Sequence, residues 1–107
     1  SVARVLGSGT STVLDVGRAT RVVSPALRRA LIVRDRHCRF PGCDVEHLRC
    51  DAHHLVHWAH GGPTDLDNLR LLCAFHHRLV HEGGWQVRAG PGDELVALRP
   101  DGSALLP

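Results

Sequence analysis

The chain has 107 residues, 43% of them hydrophobic, and a formal net charge of +2. That is enough for one domain, and a charge so small does not by itself announce a nucleic-acid binder. No apolar run nears membrane-spanning length and no charged start precedes an apolar stretch, so the expectation is a cytoplasmic protein with no membrane partner. Residues 1–23 read as a lead-in to a domain over 24–107, and within them residues 1–12 are small and polar. "VLDVGRATRVV" predicts a short strand on each side of Gly17. In "SPALRRALIVRDR", Ser24 is an N-cap, Pro25 fits the first helical position, and Leu27, Ala30, Leu31 and Arg34 follow at helical spacing. Leu27 and Leu31 should face the core, and the helix should end near Arg36.

"HCRFPGCD" turns sharply through Pro41-Gly42. "LRCDAHHLVHW" predicts a strand from about Leu48 to Val56, and "AHGGPTDLDN" a loop. "LRLLCAFHHRLVHEGG" has a helical pattern closed by Gly83-Gly84. "WQVRA" and "ELVALRP", joined by "GPGD", read as a hairpin. The order is helix, knuckle, strand, loop, helix, hairpin: a small single domain of the α+β class. The chain has no methionine and starts at Ser1, which leads us to expect a piece of a larger parent chain.

All 13 basic residues are arginine. The codon bias of a GC-rich genome accounts for the missing lysine, while the planar fork of individual arginines still suits phosphate. Nine histidines accompany four cysteines, Cys38, Cys43, Cys50 and Cys73. Disulfides do not need imidazoles at ligand spacing, so the combination argues for metal. At roughly 100° per residue, Leu72, Phe75 and Leu79 of the helical stretch fall together and should enter the core. Cys73 and His76 lie on one face and His77 and His81 on another, their mean directions roughly 90° apart, so two sites are favoured over one. Cys38-x4-Cys43 presents two thiolates in a turn and Cys73-x2-His76 two ligands at a helix start, together a closed, structural Cys3His zinc site. Cys50, inside the predicted strand, reads as a buried thiol. His77 and His81 need a partner from Asp51, His53, His54, His57 or His60.

The run "DAHHLVHWAHGGPTDLDNLRLLCAFHHRLVHEGG" resembles the HNH endonuclease family, most closely bacterial HNH domains with a cysteine knuckle upstream. His54, Asn68 and His77 match its three named positions, and "CRFPGC" and "LCAFHH" match its zinc-bearing variant, with a core motif over 38–83. The resemblance implies a ββα-metal fold and an enzyme that hydrolyses DNA phosphodiester bonds with low sequence specificity. It implies catalytic roles for His54, Asn68 and His77, with His54 the general base and Asn68 orienting the His54 ring and the loop. It also implies one catalytic divalent ion on His53, His77 and His81, similar to the metal site of DNase colicins. Three imidazoles favour zinc, nickel, manganese or cobalt over magnesium. Asp51 would be an added ligand or a partner of one. Adjacent on a strand, His53 and His54 should point to opposite faces, so a bend or bulge is expected there.

A zinc-stabilised nucleic-acid-binding module without catalysis is the alternative, and it has no need of His54 or Asn68. His37, His47, His57 and His60 read as surface or loop residues, with His57 the exception to watch. Trp58 should pack under the loop and Trp85 against the final hairpin. Arg78 reads as exposed or phosphate-facing, and Gly61-Gly62 as a tight turn.

Overall fold

A computed structural model of the chain describes residues 4–5, 13–92 and 94–105. Strands β1 (Arg4–Val5) and β2 (Val13–Asp15) form an antiparallel pair. Only the near side of Gly17 is a strand; the far side is turn and bend. The remainder of the expected frayed lead-in, residues 1–3 and 6–12, lies outside the described residues.

Helix α1 spans Pro25–Asp35. Ser24 Oγ accepts from Leu27 N at 3.1 Å, a cap of about 1 kcal/mol. Leu27 and Leu31 are fully buried, as their spacing predicts. The last residue of α1, Asp35, is also buried, and its carboxylate accepts from Leu71 N at 2.9 Å and from the Arg34 guanidinium. Arg34 donates in turn to Leu66 O and Leu69 O. The helix end is thereby locked to the strand that follows the loop.

β3 (Cys50–His54) and β4 (Leu69–Cys73) pair antiparallel, and α2 (Ala74–Glu82) follows directly. This gives the order ββα. Two sequence expectations are corrected here. The strand predicted over Leu48–Val56 is shorter, because His47–Arg49 forms a 3₁₀ turn. The helix predicted from Leu69 begins only at Ala74. Leu69–Cys73 is buried along its whole length, with α1 and α2 both packed against it. A strand covered on both faces shows a continuous apolar run without alternation, which periodicity cannot tell from helix.

Phe75 is the second casualty of that misreading. With Leu72 in the strand, the face assigned to both dissolves; Leu72 is fully buried and Phe75 is 69% exposed. Leu79 packs partly against the core. The C-terminal hairpin is a three-stranded antiparallel sheet, β5 (Gln86–Ala89), β6 (Leu95–Leu98) and β7 (Ala104–Leu105). Val87, Leu95 and Ala97 carry it into the core beside Leu27, Leu31, Leu69, Leu71 and Leu72. Trp85 packs on that core with its ring 5.6 Å from Phe40.

Candidate metal centres

The turn after α1 is built by backbone bonds. Cys38 N donates to Val45 O at 2.8 Å, Cys43 N to Phe40 O at 2.9 Å, and Arg39 N to Leu71 O at 2.8 Å. Gly42, at φ 81°, supplies the left-handed step that the turn requires. The knuckle is thus hooked onto β4, which ends at Cys73, the N-cap of α2. Ligand atoms of Cys38, Cys43, Cys73 and His76 lie within 4.8 Å of one another and could hold a metal ion.

Ligands of one tetrahedral ion, bound at roughly 2.0–2.3 Å, stand about 3.3–3.8 Å apart. His76 Nδ1 is 3.6 Å from Cys38 Sγ and 3.3 Å from Cys73 Sγ, so the donors fit. The Phe40 ring stacks flat on His76, centroids 4.0 Å apart and planes 4° off parallel, which fixes that imidazole. Burial pushes the Cys38 thiol up to about 12, against the lowering pull of the Cys73 and Phe40 backbone groups. Such a thiol ionises readily only beside a cation. All four cysteines are free thiols. Cys50, opposite Cys73 in the β3–β4 ladder, is not one of the four, its thiol lying against Glu46 O at 3.3 Å and Val45 O at 3.5 Å.

A second cluster forms one turn further along α2. Ligand atoms of His53, His77 and His81 also lie within 4.8 Å of one another. His77 Nε2 and His81 Nε2 are 3.0 Å apart, and Asp51 Oδ2 stands 3.4 Å from His77 Nδ1. With Nδ1–H toward Asp51, the His77 Nε2 lone pair faces the cluster. His53 is 3% exposed, and burial, followed by the nearby imidazoles of His77 and His81, lowers its pKa to about 3. It is a neutral imidazole, as a metal ligand must be.

His54 lies beside this group, yet the β3–β4 ladder continues in regular register through His53↔Arg70 and His54↔Leu69. No bulge interrupts it; the expected bend comes at Leu55 and Val56, directly after the pair, and both rings border one cavity of about 360 Å³ at the strand's end. Asn68 does not reach the His54 ring as expected. Its Oδ1 accepts from Val56 N at 3.0 Å, and its Nδ2 donates to Val56 O at 3.1 Å and Pro63 O at 2.8 Å. Asn68 therefore staples the loop, and the ring's partner is Thr64, whose buried Oγ1 is 3.0 Å from His54 Nε2. Burial, then His57, Arg21 and Arg18, lower the His54 pKa.

Sequence reasoning missed Thr64, whereas His57 stood among the possible partners of His77 and His81. The His57 ring is 4.9 Å from His81 and 5.9 Å from His53 and borders the same cavity. No local signal marks Thr64, since the loop's path brings it in. Trp58 is half-buried, with Arg18 stacked over its ring at 3.7 Å and donating to Trp58 O and Gly62 O. Arg78 is exposed beside Asp51, His77 and His81.

Residues 36–83 match the model of the family described as HNH endonuclease. Among similar proteins, the uncharacterized protein Rv1128c of Mycobacterium tuberculosis is 43% identical over 80 residues, which is 75% of this chain and 18% of that protein. The uncharacterized protein Mb1179c of Mycobacterium bovis is 41% identical over 80 residues, 75% of this chain and 17% of its own length. The chain thus spans less than a fifth of these relatives. No solved structure matches it. No helix among the described residues is long and apolar enough to cross a membrane.

Proposed function

From the match of residues 36–83 to the HNH endonuclease family, we propose that the chain is the metal-dependent DNA-cleaving part of a larger protein. The observation that carries this reading is the His53, His77 and His81 cluster beside a neutral His54 at one cavity wall. A binding module without catalysis leaves that arrangement without a use. The domain extends over 24–107, with 1–23 leading into it. Cys38, Cys43, Cys73 and His76 hold a structural zinc ion. His53, His77 and His81 hold one catalytic divalent ion, with manganese, nickel, cobalt and zinc suiting three imidazoles better than magnesium. When bound, that ion supplies positive charge to the scissile phosphate and the leaving 3′ oxygen.

The protein's own part is proton transfer and positioning. Donating Nε2–H to Thr64 Oγ1 leaves His54 Nδ1 as the lone-pair nitrogen that takes a proton from the attacking water. Asp51 orients His77, and Asn68 holds the loop that carries Thr64. Supercoiled plasmid incubated with manganese, magnesium, nickel, cobalt or zinc should be nicked, with EDTA abolishing the reaction. His54→Ala should slow nicking by about 10²–10⁴-fold with the structural ion retained. Plasmid left intact by the wild type with every metal refutes the enzyme reading.

A further inference from the structure

The family match begins at residue 36, but the cavity wall includes a residue well before it. Arg21 borders the cavity together with His53, His54, His57, His77 and His81. Among the residues lining it, Arg21 alone carries a permanent charge, and no carboxylate is present. Of the other arginines near the site, Arg78 is exposed beside His77 and His81 but does not line this cavity, and three more are engaged. Arg18 stacks on Trp58 and binds two carbonyls, Arg28 donates to His47 O and Cys50 O, and Arg34 is held by Asp35. Arg21 is exposed and makes no hydrogen bond or ion pair with a described residue.

The segment that carries it is fastened to the cavity loop. Asp15 Oδ1 accepts from Leu66 N at 2.8 Å, Gly17 N donates to Asp65 Oδ1 at 2.7 Å, and Thr64 N donates to Gly17 O at 2.8 Å. Val22 N donates to Thr20 Oγ1 at 3.0 Å, turning the chain at Arg21. The guanidinium is close enough to His54 for its charge to be felt there. An unengaged planar fork at the mouth of a cavity lined by imidazoles matches the geometry and charge of a phosphodiester.

We propose that Arg21 binds a DNA phosphate on the His54 side of the cavity, an anion subsite supplied from outside the family motif. This rests on the nuclease reading above. The test measures binding of a short fluorescent DNA duplex by anisotropy across a salt series, without added divalent ion, and kcat and KM for plasmid nicking with manganese. Arg21→Gln should reduce the slope of log K against log salt by about 0.9, the loss of one phosphate contact. It should also lower kcat/KM by about 10²-fold. Arg21→Lys should restore the slope and only part of the rate, because a point charge does not reproduce the fork. Arg29→Gln, an exposed arginine of α1 away from the cavity, is the charge control. If Arg21→Gln matches Arg29→Gln in slope and kcat/KM, the inference is overturned while the nuclease reading stands. A wild type that neither binds nor nicks DNA overturns both.

Discussion

His54 has two ring nitrogens with different surroundings, and its proposed chemistry depends on that difference. Nε2 meets the buried Thr64 hydroxyl at 3.0 Å, while the ring borders the cavity. Burial disfavours the imidazolium, so the neutral, proton-accepting form persists to more acid pH than for a free histidine. The acid limb of the kcat/KM profile should accordingly lie below 6.5, the ordinary histidine value. A limb at or above that value contradicts this account of the base. Thr64→Val removes the hydroxyl to which Nε2–H donates in the proposed mechanism and should lower kcat by about tenfold with metal content unchanged. Asn68 could be found from its family position, but which group it would bond could not. Three bonds to Val56 and Pro63 follow from the course of the loop, and the ring was left for Thr64.

Among the elements, the Gly61-Gly62 loop brings the Gly62 backbone close against that of Val56. A Cβ on Gly62 would lie 1.7 Å from Val56 O and 3.0 Å from Asn68 Nδ2. Gly62→Ala should therefore displace the loop, costing about 1–3 kcal/mol of stability. Nicking should fall while an ion held at Cys38, Cys43, Cys73 and His76, at the end of β4 away from the loop, stays bound. Thermal melts and metal analysis on the same protein separate those effects, and an alanine variant with wild-type melting and nicking would refute the close approach. Helix α1 was legible because caps and spacing are local features. β4 was not, because α1 and α2 cover both its faces and remove the alternation that announces a strand.

At the scale of the whole molecule, the knuckle, β4 and α2 meet at Cys38, Cys43, Cys73 and His76. A core of this size gains from such a tie, since ion binding to the folded state contributes directly to folding. Cys43→Ser should cost about 3 kcal/mol, a fall in Tm of about 15 °C, with loss of one ion per chain. Cys50→Ser should keep that ion, because its thiol faces the Val45 and Glu46 carbonyls. Metal analysis of the two variants reads the difference, and equal ion loss in both would reassign the ligands. The N-terminal segment belongs to this scale too: residues 15–18 grip the loop that carries Thr64, and Arg21 follows them to the cavity.

By itself the sequence determined which side chains share a helical turn: Cys73 with His76, and His77 with His81 on the neighbouring face. Helix geometry is repeated every few residues, so spacing is sufficient for that. It also marked α1, the knuckle and the histidine pair at the end of β3. Tertiary structure alone decided that Leu69–Cys73 is a strand, that Thr64 rather than Asn68 meets His54, and that His57 and Arg21 border the cavity. Those outcomes join residues across 10 to more than 30 positions, and they are settled by which surfaces pack together.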